Sequence, residues 1–450
     1  MLPAIETIYA LATAAGRAGI AIVRVSGPQA FESLRILCGD MSLPQARYAR
    51  LMTLKHPETG YIIDESVIIL FHAPYSYTGE NVVEYHIHGG KAVRDSLFDA
   101  LSKCAGHRMA EPGEYTRRAF ENGRMDLTQA EAVADLIHAE TEAQKQLALS
   151  QMGGALTCLY QNWTDSLVQA LAYAEAQIDF SEDDLPEEEI KNFITPVLYA
   201  VSREIEMHLN DGNRGERLRD GIKIVVIGAP NSGKSSLVNA LTQRDVAIVS
   251  DMAGTTRDLL EVHLDLGGFP VILYDTAGLR PEALSRKQAQ DRIEAEGIRR
   301  ALNIAEAADF KILLFDATES VPHKNTLDLF DNNSVLVANK TDKGINDNFA
   351  EMIPVSAKTG KGLSELIMRL TNHVRNKFET QTLSPSLTRA RHREALTDTS
   401  SHLDRALHSN SPDMMAEDIR LAVRSLGRIT GKTDVEDLLD VIFRDFCIGK

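Results

Sequence analysis

The chain has 450 residues, 44% of them hydrophobic, and a formal net charge of −16. That length predicts two or three domains with sizeable cores, and the acidic balance argues against a non-specific nucleic-acid binder, whose footprint is basic. The four cysteines form no C-x-x-C pair and no apolar stretch approaches ~18 residues, which excludes a zinc ribbon, a disulfide framework and a helical membrane span and points to a reducing cytoplasm.

Taken in chain order, residues 1–120 mix strand-like runs with Gly and Pro turns. Ile8 to Ala15 is mildly apolar without a basic leader, so no signal peptide is expected. Ile20 to Val25, Ser66 to Phe71 and Val82 to His88 predict strands, and Leu97 to Leu101 a helix. From 121 to 215 the texture is helical. Leu127, Ala130, Ala134 and Ile137 predict one helix from Asp126 to Met152, stopped at Gly153-Gly154. Ala155 to Phe180 and Phe193 to Leu209 are further helices, joined by an acidic run, Ser181 to Glu189, that reads as a solvated loop. Residues 216–378 alternate strand and helix patterns, and residues 379–450 are helical again. Ser411-Pro412 starts one helix, and Thr433-x-x-Glu436 is a capping box for the last. The two helical parts are expected to pack together around an inserted domain. The arginine clusters at 117–118, 214–219 and 389–393 read as solvated helix faces.

The chemistry lies in the 216–378 segment. Gly228-Ala-Pro-Asn-Ser-Gly-Lys-Ser235 is a full phosphate loop between an apolar strand, Ile222 to Ile227, and a helix opening at Ser236. Its glycines let backbone N–H groups close on phosphate oxygens at a helix N-terminus. Asn231, Ser232, Gly233, Lys234, Ser235 and Ser236 are therefore candidate nucleotide contacts, with Lys234 on the β/γ-phosphates and Ser235 on Mg²⁺. Asn339-Lys340-Thr341-Asp342 follows an apolar run, and Asp342 can accept from guanine N1–H and the 2-amino group, a pattern adenine lacks. Ser356-Ala357-Lys358 would support the base O6. Asp275-Thr276-Ala277-Gly278 would reach Mg²⁺ through Asp275 and sense the γ-phosphate at Gly278. Order and spacing match the GTPase branch of phosphate-loop proteins. Between these motifs, Thr256 of Gly254-Thr-Thr-Arg-Asp258 is the candidate switch threonine. Leu279 stands where many GTPases carry the glutamine that orients water. Something else must then position water, which a second acidic group from the following segment could do, and a monovalent cation at Asn231 could supply charge.

Thr255-Thr-Arg-Asp258, Asp275-Thr-Ala-Gly-Leu-Arg280, Gly16-Arg-Ala-Gly-Ile20, Tyr77-Thr-Gly-Glu80, His88-Gly-Gly90, Pro112-Gly-Glu114, Leu127-Thr-Gln-Ala-Glu-Ala132 and Cys447-Ile-Gly-Lys450 together resemble the MnmE (TrmE) tRNA-modification GTPases, over essentially the whole chain. The resemblance implies an α/β + α fold: an N-terminal α+β folate-binding and dimerisation domain, a helical bundle, and an inserted Ras-like GTPase domain. It implies a homodimer that forms a heterotetramer with a flavin-dependent partner of the MnmG (GidA) type. The complex would add an aminomethyl or carboxymethylaminomethyl group to C5 of the wobble uridine of tRNA. The carbon would come from 5-formyltetrahydrofolate or methylenetetrahydrofolate, held by Arg24, Glu80, Arg124 (lysine is usual there) and Lys450. Potassium would sit on Asn231, Ser250 (usually threonine), Met252 and Thr255, magnesium on Ser235 and Thr256. Glu294 or Glu296 would orient water. Cys447 is either a packing cysteine or, as a thiolate favoured by a nearby cation, a participant in uridine modification. Two other readings share the motifs: a ribosome-assembly GTPase without covalent chemistry, and a folate-dependent aminomethyl transferase with a small-molecule substrate.

Overall fold

The computed structural model describes residues 6–39, 42–179, 187–244, 246–248, 261–275, 308–379, 385–409, 411–433, 436–444, 446 and 449. The chain divides into two compact units. One comprises Met1–Ala134, Tyr160–Asp165 and Val423–Lys450, the other Asp135–Leu159 and Ser166–Ala422.

The first unit is built on a six-stranded sheet of β1 (Thr7–Leu11), β2 (Ala18–Ser26), β3 (Arg50–Lys55), β4 (Ile62–Phe71), β5 (Val82–Gly89) and β6 (His107–Met109). The order is β3-β4-β5-β2-β1-β6, antiparallel except for the β1–β6 pair. Alternate residues of β2 and β4 are buried, so one face of each strand is apolar. That face is covered by α1 (Ala30–Cys38) and α2 (Lys91–Ser102), in a core of Val23, Val25, Leu34, Ile68, Leu70, Tyr85 and Leu97. Each such side chain contributes about 2 kcal/mol by leaving water. A short helix α3 (Glu114–Glu121) follows β6, and Leu127, Leu439, Phe443 and Phe446 form a smaller cluster beside it. The run Ile8 to Ala15 is thus a central strand in its first half; five residues are too few for periodicity to show it.

Between Asp126 and Met152 the structure corrects the single predicted helix. There are two, α4 (Leu127–His138) and α5 (Glu142–Met152). Thr141 takes an extended conformation, φ −129 and ψ 161, and caps α5. Its hydroxyl accepts from the Gln144 N–H, and the Gln144 side chain accepts from the Thr141 N–H at 3.1 Å, a capping box. The T-x-x-Q signal stands in the sequence just past Ile137, the last residue of the apolar spacing that predicts the single helix. The break has a tertiary partner: the Ala143 N–H donates to Gly268 O at 2.9 Å, and Gln144 Nε2 to Arg219 O at 3.0 Å.

In the second unit, α6 (Ala155–Asp179, which runs through both units) and α7 (Glu187–Leu209) precede the short α8 (Arg214–Asp220). A six-stranded sheet follows: β7 (Ile222–Gly228), β8 (Glu261–Leu266), β9 (Phe269–Asp275), β10 (Phe310–Asp316), β11 (Ser334–Asn339) and β12 (Ile353–Pro354). Its order is β12-β11-β10-β7-β9-β8, parallel except for the β8–β9 hairpin. Among the described residues its helices are α9 (Lys234–Thr242), a one-turn α10 (Lys324–Leu327) and α11 (Leu363–Phe378). β7 and β10 are almost wholly buried, as parallel strands covered on both faces must be. Beyond the sheet come α12 (Ala390–His408) and α13 (Pro412–Thr430), and α14 (Glu436–Arg444) closes the chain in the first unit. Helices α7 and α12, from before and after the sheet, pack together.

The arginine clusters are structural ties, which corrects their reading as solvated faces. Arg393 donates to Leu209 O (2.6 Å), Asp211 Oδ1 (3.2 Å) and Glu216 Oε1 (3.2 Å). Arg214 reaches Phe378 O, Arg219 reaches Thr388 O, and Arg217 pairs with Asp309. Sequence alone cannot see these partners, because half are backbone carbonyls and all but Asp309 lie more than 150 residues away.

His208 lies buried at this joint. Burial pushes its imidazole down to about 4, and Arg393 and His392 push the same way against Asp211. With the folded value below the ordinary 6.5, the unfolded chain takes up the proton first as pH falls. The stability contribution is therefore intact above about pH 6.5 and lost between there and about 4, up to about 3 kcal/mol. Urea unfolding at pH 7 and pH 4.5 should show a steeper loss for the wild type than for His208→Gln.

Candidate nucleotide and folate sites

All the described nucleotide motifs lie at the carboxyl ends of the parallel strands, where open α/β sheets bind ligands. β7 ends at Gly228, where a side chain would press to 2.4 Å of Leu314 O. The loop turns through Asn231 (φ 64) and Gly233 (φ 97), and α9 begins at Lys234, so the helix N-terminus faces the loop. Lys234 Nζ donates to Gly228 O at 2.9 Å and Ala229 O at 3.1 Å, which holds its ammonium across the loop.

Asn339, 2% exposed, joins three motifs. Its Nδ2 donates to Ser232 O in the phosphate loop (2.9 Å), and its Oδ1 accepts from the Ala357 N–H (3.0 Å). The Ser356 hydroxyl donates to Asp342 Oδ1 at 2.6 Å. That bond, with Lys358 and Lys343 nearby, holds the Asp342 carboxyl below the usual carboxylate range, so it is an ionised acceptor at neutral pH. A carboxylate anchored by one serine, on a loop anchored to the phosphate loop, is shaped to accept from a base carrying two adjacent donors. Asp275, buried at the end of β9, pairs in register with Val226 of β7, one strand from the phosphate loop. Ser235 and Ser236 lie in the first turn of α9, and Lys358 follows Ala357 in its loop. Ser250, Met252, Thr255, Thr256, Thr276, Ala277, Gly278, Leu279, Glu294 and Glu296 lie outside the described residues.

In the first unit, Arg24 donates through Nε (3.1 Å) and Nη2 (2.9 Å) to Glu84 Oε1, with its guanidinium over the rings of Tyr77 and Tyr115. Glu80 accepts from the Ser26 hydroxyl at 2.7 Å and from Arg118 Nη1 at 3.2 Å. Ser26 is two residues from Arg24 on the same face of β2. The Arg124 side chain runs along Gly79, next to Glu80. The structure thus gathers three of the four candidate folate residues; Lys450, like Cys447, lies outside the described residues. Glu80 also borders a cavity of about 870 Å³ with Glu6, Gln29, Glu32, His107 and Asn122, which neither Arg24 nor Arg124 lines. Sequence reasoning missed Glu84, Arg118 and Ser26, because strand pairing and burial, not a motif, put them there.

A Ras-type strand order, a phosphate loop at the end of its first strand, and an Asn339-anchored base loop define a GTP hydrolase of the phosphate-loop class. Comparison with known proteins narrows it further. The N-terminal model "GTP-binding protein TrmE N-terminus" matches residues 7–124, and the "MnmE helical domain" model matches residues 127–447. Three relatives, each bearing the name tRNA modification GTPase MnmE, are similar over 99% of this chain and 100% of their own. They come from Parvibaculum lavamentivorans (51% identical), Paramagnetospirillum magneticum (48%) and Rhodospirillum rubrum (47%). The chain belongs to the MnmE family of tRNA-modification GTPases. No helix among the described residues is long and apolar enough to cross a membrane.

Proposed function

We propose that this GTPase acts in the cytoplasm in the modification of wobble uridines of tRNA. As a homodimer with a flavin-dependent partner of the MnmG type, it adds an aminomethyl or carboxymethylaminomethyl group at C5. One observation carries the reading: similarity to proteins named for tRNA modification spans the N-terminal and helical parts as well as the GTPase part. A GTPase that merely shared the switch motifs would match over residues 216–378 alone. We read the chain as 1–120 folate-binding and dimerisation, 121–215 and 379–450 helical, and 216–378 GTPase.

In this reading Lys234 and the N–H groups of Ser232 to Ser236 hold the phosphates, while Asp342, Ser356, Ala357 and Lys358 read guanine. Ser235 and Thr256 hold magnesium, which neutralises phosphate charge, and Asp275 orients its water. Asn231, Ser250, Met252 and Thr255 hold potassium, which stands in for an arginine finger. Asn231 fits that role: it lies within the phosphate loop, with φ 64, and its side chain carries an amide oxygen of the kind potassium takes. Glu294, or Glu296, orients water where Leu279 cannot. Arg24 fits a folate as well. Glu84 occupies Nε and Nη2 and leaves Nη1 to donate to a ligand oxygen, with Glu80, Arg124 and Lys450 completing the pocket. A folate bound there would supply the one-carbon unit, and Cys447, as a thiolate, would take part in the uridine modification. Exposed Leu51, Tyr61 and Ile62 on and beside the β3–β4 edge support pairing of two N-terminal units.

Nucleoside mass spectrometry of tRNA from cells lacking this chain tests the proposal. C5-modified wobble uridines should disappear, return with the wild-type chain and stay absent with Cys447→Ser. Unchanged wobble uridines in the deletion would sink the proposal and favour a ribosome-assembly role. Restoration by Cys447→Ser would remove the thiol from the chemistry.

A further inference from the structure

Strand β10 ends at Asp316 and β11 at Asn339, and these two residues are directly paired in the parallel ladder. Lys340 comes next in the left-handed region, φ 65 and ψ 28. A non-glycine residue keeps that conformation only where its surroundings hold it. The holding contact is visible: Lys340 Nζ donates to Asp316 Oδ2 at 2.6 Å. Asp316 is fixed in turn, because its Oδ1 accepts from the Thr318 hydroxyl (2.7 Å) and the Thr318 N–H (3.1 Å). The backbone on either side is tied down as well. The Ala317 N–H donates to Asn339 O, and the Thr341 N–H to Val355 O.

Lys340 is therefore pinned at both ends, by its backbone between the Asn339 and Asp342 loops and by its ammonium on β10. Both side chains are largely shielded, with 26% of Lys340 and 17% of Asp316 exposed. Burial pushes the Asp316 carboxyl up, but the Lys340 ammonium and the two Thr318 donors pull it further down, below the ordinary carboxylate range. The Asp316 carboxylate is ionised at neutral pH. A lysine whose head is held elsewhere presents its four-carbon stem as an apolar strip, and a planar base can lie on such a strip. Ordering the stem before the ligand arrives removes an entropic cost of binding.

We propose that Asp316 is a positioning residue for guanine recognition. It never touches the nucleotide, and it acts by holding the Lys340 stem as one wall of the base site, with Thr318 as its brace. This rests on the reading of Asn339–Asp342 as the base site.

The test measures GDP and inosine diphosphate binding to the full-length protein, with a fluorescent GDP analogue as the displaced probe. Asp316→Asn should weaken GDP about tenfold, mainly through faster dissociation. It should weaken inosine diphosphate, which lacks the 2-amino group, by the same factor, because Asp342 still reads the base. A general loosening of the site would instead erode the preference for GDP. In a Lys340→Met background, Asp316→Asn should add less than about twofold. The inference is overturned if Asp316→Asn binds GDP like the wild type, or if its loss is as large beside Met as beside Lys340. If Lys340→Met itself leaves GDP binding unchanged, holding the stem does not matter and the inference is overturned, whereas the base-site reading fails only if Asp342→Asn leaves the preference for guanine intact. Should Asp316→Asn lower the melting temperature of the nucleotide-free protein, Thr318→Val serves in its place. It should give a two- to threefold loss that also vanishes beside Met, and no loss would overturn the inference.

Discussion

Asp342→Asn is expected to lower GTP affinity on the order of 10³-fold and to convert the site to xanthosine triphosphate. The carboxylate is held by the Ser356 hydroxyl at 2.6 Å, and Ser356 is followed by the Ala357 N–H that Asn339 anchors. The Asp342 carboxylate itself then offers the base only acceptors. Guanine offers two donors, N1–H and the 2-amino group. An amide in place of the carboxylate offers one acceptor and one donor, so its NH₂ meets the 2-amino group donor to donor. Xanthine carries an oxygen at that position and accepts. The protein should remain folded, since Asp342 is exposed and its only described side-chain partner is Ser356. Competitive binding of GTP and xanthosine triphosphate checks this. A variant that still prefers GTP would place the base elsewhere.

Gly233→Ala is expected to reduce GDP and GTP binding by about 100-fold or more while leaving most of the fold intact. Gly233 has φ 97, a conformation that strains any side chain. A Cβ there would lie 2.3 Å from Asn339 Nδ2. Terminal amides often swing aside, but this one cannot do so freely. Asn339 is buried and bonded on one side to Ser232 O and on the other to the Ala357 N–H. Moving it releases the phosphate loop and the base loop together, so one methyl group disturbs both ends of the nucleotide site. Isothermal titration with GDP, beside a thermal melt of the nucleotide-free protein, separates this from unfolding. Wild-type affinity in the variant would mean that Asn339 is not the link between the two loops.

The nucleotide site was largely legible because its chemistry is local. A phosphate loop needs small residues at set positions beside a helix start, and an Asn-Lys-Thr-Asp run carries its own base selector. Those requirements are met within a few residues, so the motifs stand out without a fold. Asp316 was not legible. It is an ordinary aspartate ending an apolar strand, and its role appears only once β10 and β11 pair and bring Lys340 to it. The break before α5 shows a different limit: the predicted helix extends past Ile137 across Glu140 and Thr141, where the capping chemistry of Thr141 and Gln144 said stop.

By itself the sequence determined the class of chemistry, the base to be read, the order of helical and α/β segments and the family to which the chain belongs. All of these rest on residues close along the chain or on overall similarity. Only the tertiary structure decided which charges are spent on one another: Arg118 against Glu80, Arg24 against Glu84, and Arg393 across Asp211 and Glu216. A charged side chain reads as solvated until a partner is brought within hydrogen-bonding distance. In a sheet protein that distance is set by strand register and helix packing, which join residues tens to hundreds of positions apart.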